Sequence, residues 1–260
     1  MLLNHQTTGA GPVLLILHGL FGNSGNWKSI SRKLAESFTV VTVDLRNHGR
    51  SDWSDDVRYL AMAADIGSLL DHLDYKQATL IGHSMGGKTA MTFALLNPAR
   101  VSGLVVVDIA PVVYSHSHID LINTLIRLDI GSARSRKDID AMMAEEIPEP
   151  GLRMFLSQNL VFQENQFKWR INLKALAEGM SELTGFPDLN SQCFHSPCLF
   201  LYGTSSDYVL DHHRPKTLQL FPAAEFVGIE GAGHWAHAEA PQRVIDEVHT
   251  YAQKVGVLKE

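Results

Sequence analysis

The sequence predicts an α/β protein: a mostly parallel central sheet with helices on both faces and a helical segment inserted late in the chain. Three observations carry this. Six short runs rich in Val, Ile and Leu lack the polar alternation of a half-exposed strand, as expected for parallel strands covered on both sides. Amphipathic stretches of helical length separate the earlier runs, and alternating β and α elements give a parallel sheet with right-handed crossovers. Residues from about 112 to 190 then break the alternation with several helical patterns in succession.

In chain order, the strand-like runs are Val13–Leu17, Phe38–Val43, Ala78–Ile81, Leu104–Val107, Cys198–Tyr202 and Glu225–Ile229. The helical stretches between them are Trp27–Ser37, Tyr59–Leu73 and Gly87–Asn97. In the insert, Ile119–Leu128, Ile139–Ile147 and Leu152–Leu160 carry apolar residues at helical spacing, with Pro148 and Pro150 as breakers. Phe167–Asn172 alternates briefly, and Leu173–Leu183 is helical again. The expected organisation is one domain: a core of residues 1–111 and 191–260, and a mostly helical cap over 112–190.

Composition narrows the function classes. The chain has 260 residues, 45% hydrophobic and 19% charged, which is ordinary globular usage. A net charge of −6 argues against nucleic acid or an anionic membrane as partner. The run Met1-Leu2-Leu3-Asn4-His5-Gln6 lacks a cationic segment followed by an apolar one, and no apolar run approaches bilayer length. A soluble, cytoplasmic protein is expected. Cys193 and Cys198 bracket His195, but one loose pair without a further ligand reads as reduced thiols, not zinc. The oligomeric state is left open, with a homodimer among the options.

In such sheets, ligands gather beyond the C-terminal ends of the strands. The polar residues there are His18-Gly19, Asp44, His83-Ser84, Asp108, Gly203–Asp207 and the Gly231–His237 loop. Among them, Gly82-His83-Ser84-Met85-Gly86 follows an apolar run and precedes a helical stretch, which is the order a nucleophile elbow requires. The five-residue pattern alone is weak, since about one chain in ten of this length carries it by chance.

A serine hydroxyl needs a histidine to take its proton and a carboxylate to orient the histidine. His234, between Gly233 and Trp235 just after the last strand, is the candidate base. His237 is a distant second, and His83 and His18 read as packing or loop-anchoring residues. For the acid, Asp108 and Asp207 follow successive strands and are nearly even on physical grounds, while Glu230 and Glu239 read as solvated. The developing oxyanion needs backbone donors. Met85 supplies one and the loop His18-Gly19-Leu20-Phe21-Gly22 the other, with Leu20 chosen over Phe21.

With these residues assembled, the chain resembles the α/β-hydrolases, and in particular the bacterial YbfF-type esterases. The match runs through H-G-L-F-G-N from His18, D-L-R-N-H-G-R-S from Asp44, G-H-S-M-G-G-K from Gly82, V-D-I-A-P from Val107 and G-A-G-H-W-A-H-A-E from Gly231. The resemblance implies an α/β-hydrolase fold with an inserted helical cap, acting as a serine carboxylic-ester hydrolase on short- to medium-chain acyl esters. Most α/β-hydrolases place the acid where this chain has Ser206; the YbfF-like G-x-x-S-x-Y-V, from Gly203 to Val209, implies that Asp108 supplies it instead. Arg46-Asn47-His48-Gly49 departs from the usual Pro-Gly-x-Gly loop and reads as scaffolding; Trp169, Arg170 and Asn172 read as buttresses of the cap, with core packing an equal reading of Trp169. No metal or organic cofactor is implied, and the partner is a small-molecule ester or thioester. An acyl-CoA thioesterase would use the same triad. A non-catalytic ligand-binding protein on this scaffold is the rival from another class. Serine at position 84 argues against a dehalogenase or epoxide hydrolase, which need an aspartate nucleophile.

Overall fold

The computed structural model describes residues 1–258. The chain opens with β1 (His5–Thr8) and β2 (Val13–Leu17); α1 (Lys28–Leu34) leads to β3 (Thr39–Val43), α2 (Tyr59–His72) to β4 (Ala78–His83), and α3 (Met85–Leu96) to β5 (Val101–Val107). It then leaves the sheet for α4 (Ile119–Arg127), α5 (Arg136–Ala144) and α6 (Pro150–Leu156), the hairpin β6 (Leu160–Gln163) and β7 (Gln166–Trp169), and α7 (Leu173–Glu178) and α8 (Met180–Thr184). It closes with β8 (Cys198–Gly203), α9 (Arg214–Leu220), β9 (Ala224–Ile229), α10 (Ala236–Glu239) and α11 (Pro241–Lys254).

The main sheet has seven strands among the described residues, in the order β1-β3-β2-β4-β5-β8-β9. Only β1 runs antiparallel to its neighbour. Successive residues of the central strands feed opposite layers, as pleating demands. Leu15, Leu17, Leu80, Leu104 and Val106 pack with α2 and α3. Leu14, Ile16, Ile81, Val105 and Val107 pack with α1 and α11. This two-sided burial is why the strands read as unbroken apolar runs.

The expected α/β architecture is what the chain adopts, with three local differences. His5–Thr8 is a mostly exposed edge strand, so it lacks the apolar signal of the other strands. The helix expected to Leu160 stops at Leu156; a tight turn follows, and Leu160 opens the β6–β7 hairpin, closed by Glu164 and Asn165 with φ of 51° and 61°. Two positive φ values match the twist of a two-residue hairpin loop. The expected helix Leu173–Leu183 is split at Gly179 into α7 and α8.

α11 is fastened to the sheet by one phenol. Tyr251 Oη donates to Pro197 O (2.7 Å) and accepts from Leu104 N (3.0 Å). Tyr251→Phe leaves the buried Leu104 N–H unpaired and is expected to lower stability by about 1–3 kcal/mol, read from the urea midpoint. An unchanged midpoint would show that water replaces the phenol without loss.

Candidate active site

Ser84 sits between β4 and α3 with φ 51° and ψ −117°, a strained backbone that non-glycine residues adopt only where the surroundings impose it. Two glycines make the turn sterically feasible. A Cβ on Gly82 would lie 2.3 Å from Gly86 O, and one on Gly86 would lie 2.4 Å from Leu17 O and 2.5 Å from His18 O. The Ser84 amide donates to Val107 O at 3.1 Å, which ties the elbow to the neighbouring strand.

From the serine a chain of hydrogen bonds runs across the sheet edge. Ser84 Oγ lies 3.2 Å from His234 Nε2, and His234 Nδ1 lies 2.7 Å from Asp108 Oδ2. Asp108 is fully buried directly after β5. Its amide donates to Leu201 O, Gly203 N donates to Oδ1 at 2.9 Å, and Ser206 Oγ donates to Oδ2 at 2.5 Å. A carboxylate receiving these bonds holds the imidazole with its proton on Nδ1 and its lone pair on Nε2, facing Ser84. Asp207 is exposed and makes no hydrogen bond to His234. The geometry therefore separates the two candidate acids, which chain position alone does not.

Two aromatic rings steady His234. His83 Nε2–H donates to His234 O (2.8 Å), so the histidine beside the serine fixes the loop of the base. Tyr208 stacks on the His234 ring with centroids 3.8 Å apart and planes 19° apart. His237 is buried between His83 and Trp27, with no hydrogen bond to Ser84. His18 is likewise a loop anchor: its Nε2 accepts from Leu45 N and its Nδ1–H donates to Gly19 O.

Burial dominates the electrostatics here. It pushes the Asp108 carboxyl up to about 7, against the opposing donations from Ser206 and Gly203. It pushes His234 down to about 3, helped by the neighbouring His118 and His116. The two act as a pair, and a proton gained by either removes the free Nε2–Asp108 carboxylate combination. The higher of the two values therefore marks where the pair takes up its proton.

Two backbone amides flank Ser84 without a protein acceptor among the described residues. Met85 is the first residue of α3, where helical geometry supplies no partner. Leu20 N is likewise unengaged, whereas Phe21 N is occupied by His48 Nε2 at 3.3 Å. Beside Ser84 lies a cavity of about 30 Å³ whose walls include Leu20, Tyr59, Met85, Lys88, Tyr114 and Met180. Among the described residues no cluster of His, Cys, Asp and Glu is arranged to hold a metal ion, and no helix is long and apolar enough to cross a membrane.

Sequence reasoning passed over three residues. Ser206 stands where most α/β-hydrolases carry an acid and donates to Asp108; the spacing G-x-x-S was its signal. Tyr208 followed two residues later in the same motif. Lys88 closes the G-H-S-M-G-G-K motif, but nothing in that motif marks it as buried, since a lysine on a helix ordinarily points to solvent. In the scaffold loop, Asn47 O and Oδ1 accept from Asn172 N and Nδ2, which ties that loop to the inserted segment.

A strand-turn-helix serine and a histidine beyond the last strand, on a mostly parallel sheet, define an α/β-hydrolase, and this chain belongs to that family. Residues 12–136 match the family model described as alpha/beta hydrolase fold. Over 248 residues the chain is 38% identical to the sn-1-specific diacylglycerol lipase ABHD11 of Mus musculus, covering 92% of this chain and 80% of that protein. It is 35% identical to esterase YbfF of Escherichia coli (strain K12), with 92% of each covered. The solved structure of a marine microorganism esterase superposes with a TM-score of 0.93 at 37% identity, covering 96% of this chain and 99% of that one.

Proposed function

We propose that the protein hydrolyses carboxylic esters of short acyl groups through a covalent acyl-serine intermediate. The hydrogen-bonded chain from Ser84 Oγ through His234 to Asp108 carries the reading. Relatives named esterase and lipase support the reaction class.

In this reading Ser84 Oγ attacks the acyl carbon while His234 Nε2 takes its proton. Asp108 orients the imidazole and stabilises the imidazolium. The amides of Met85 and Leu20 receive the negative charge that develops on the carbonyl oxygen. His234 then returns the proton to the leaving alkoxide, and a water deprotonated by His234 attacks the acyl-serine carbonyl to release the acid. The inserted residues 112–190 act as a cap over the acyl group. The cavity's size supports a short acyl group: about 30 Å³ is small beside the ~150 Å³ that accommodates a benzene ring.

A fluorophosphonate probe tests the reading. It is expected to label the protein on Ser84 and to leave Ser84→Ala unlabelled, and aryl esters from acetate to octanoate are expected to be cleaved best at the short end. Absence of labelling sinks the catalytic reading in favour of a ligand-binding role. A higher kcat/KM for an acyl-CoA thioester than for the matching aryl ester overturns the choice of substrate.

The pair's titration sets the pH profile. Below its pKa the pair carries an extra proton and His234 is unable to act as base; above it the base is free. With Asp108 lifted to about 7, kcat/KM for a neutral ester is expected to rise with pH through one proton step near neutrality and then level off. A profile flat from about pH 4 to about pH 9 would show that the Asp108–His234 pair takes up no proton near neutrality.

A further inference from the structure

Lys88 is four residues after Ser84 on α3, and only 1% of it is exposed. A lysine this buried is ordinarily paired with a carboxylate, yet none lies within ion-pair distance among the described residues. Its ammonium instead donates to three backbone carbonyls: Val112 O at 3.1 Å, Thr184 O at 2.9 Å and Gly185 O at 2.5 Å. An ammonium has three donors, so none is left for a substrate or a nucleophile. That excludes Lys88 as an anion-binding or proton-transferring residue.

The acceptors lie at the two roots of the inserted segment. Val112 is where the chain departs after β5, and Thr184 and Gly185 are where it returns after α8. One neighbouring bond joins the same two places, and a second ties the returning root to α2. Tyr114 N donates to Thr184 O at 3.0 Å, and Tyr59 Oη donates to Leu183 O at 2.7 Å. The ammonium also lies 4.7 Å from the centroid of the Tyr114 ring, a distance at which a cation is attracted by the π face. Lys88, Tyr59, Tyr114, Leu183 and Thr184 all line the cavity beside Ser84. The fastening of the roots and the wall of the acyl cavity are therefore one structure.

We propose that Lys88 is a positioning residue that sets acyl-chain length: by holding the departing and returning strands of the cap together, it keeps the cavity beside Ser84 shallow and restricts the enzyme to short acyl groups. The proposal rests on the ester-hydrolase reading above. Burial pushes the Lys88 amine down to about 7, and the three carbonyls are what keep a charged or strongly donating group tolerable there. Removing it leaves Val112 O and Gly185 O without a donor and Thr184 O with Tyr114 N alone, a state that the backbone resists by separating or admitting water.

The test compares wild type with Lys88→Met and Tyr59→Phe, using p-nitrophenyl acetate and p-nitrophenyl octanoate. The ratio of their kcat/KM values cancels any uniform loss of active protein. In Lys88→Met the octanoate-to-acetate ratio is expected to rise at least about tenfold, mainly through a lower octanoate KM. Amide exchange at Tyr114, whose N–H bonds to Thr184 O, is expected to quicken by at least about tenfold. Tyr59→Phe loosens the same root without touching Lys88, and a smaller change of the same sign is expected.

A folded Lys88→Met with the wild-type ratio overturns the proposal, whether or not exchange quickens, because the lysine is then only structural. If Lys88→Met does not fold, an unchanged ratio and exchange in Tyr59→Phe overturn it. If the wild type cleaves neither ester, the ester reading has failed, and unchanged Tyr114 exchange would separately remove the fastening.

Discussion

Asp108→Asn is expected to lower kcat for an aryl ester by about 10⁴, while Asp207→Asn changes it by less than about twofold. The asymmetry comes from placement. Asp108 is fully buried and accepts from His234, Ser206 and Gly203, whereas Asp207 faces solvent. An amide at position 108 has a donor where an acceptor is needed, so His234 is driven to the tautomer whose Nε2 carries a proton and is unable to act as base. Both variants are to be measured with the fluorophosphonate probe alongside turnover, because Asp108→Asn also slows labelling by the same route. The opposite ranking would assign the acid to Asp207 and require the loop after β8 to rearrange in solution.

Gly86→Ala is expected to damage both fold and turnover. Its Cβ would lie 2.4 Å from Leu17 O and 2.5 Å from His18 O, and both obstacles are backbone, so no side-chain rotation relieves them. α3 must move away from β2, at about 3 kcal/mol, which corresponds to a fall in Tm on the order of 10 °C. The same displacement moves Met85 N relative to Leu20 N, and losing one aligned donor is worth roughly 10²–10³ in kcat. A variant with wild-type Tm and kcat would mean that the β2–α3 contact is looser than these distances imply.

How much of this was legible beforehand follows from burial. Strands β2 to β5 and β8 announced themselves because both faces are covered, leaving runs of Val, Ile and Leu, while the half-buried edge strand β9 showed through Phe226, Val227 and Ile229. The edge strand His5–Thr8 is mostly solvent-facing and gave no such signal. Strand ends were blurred where polar residues belong to the ladder: Ser102 and Gly103 lie in β5, and Gly82 and His83 extend β4 up to the serine. α11 is as legible as α2, with Val244, Ile245, Val248, Tyr251 and Ala252 recurring at helical spacing on its buried face.

The serine and histidine were legible as polar residues at strand ends, a rule of chain topology. Chain position left Asp108 and Asp207 open, because both obey that rule, and only the motif from Gly203 to Val209 leaned toward Asp108. The positive φ of 51° at Asp108, which turns its carboxylate to the Ser206 hydroxyl, is not something that spacing reveals. Lys88 was illegible for another reason: its partners are carbonyls, and a sequence does not display its carbonyls.

The arrangement of Ser84 and Asp108 leaves the site with one moving part. Each is the first residue past one of two adjacent paired strands, and each amide is bonded to the next strand, Ser84 N to Val107 O and Asp108 N to Leu201 O. Ser84 and Asp108 are thus built into the frame of the sheet. His234 alone hangs from a loop beyond the edge strand β9, steadied by His83 and Tyr208. Errors of alignment in such a machine accumulate in the imidazole, so a sheet can be sound while the enzyme is silent.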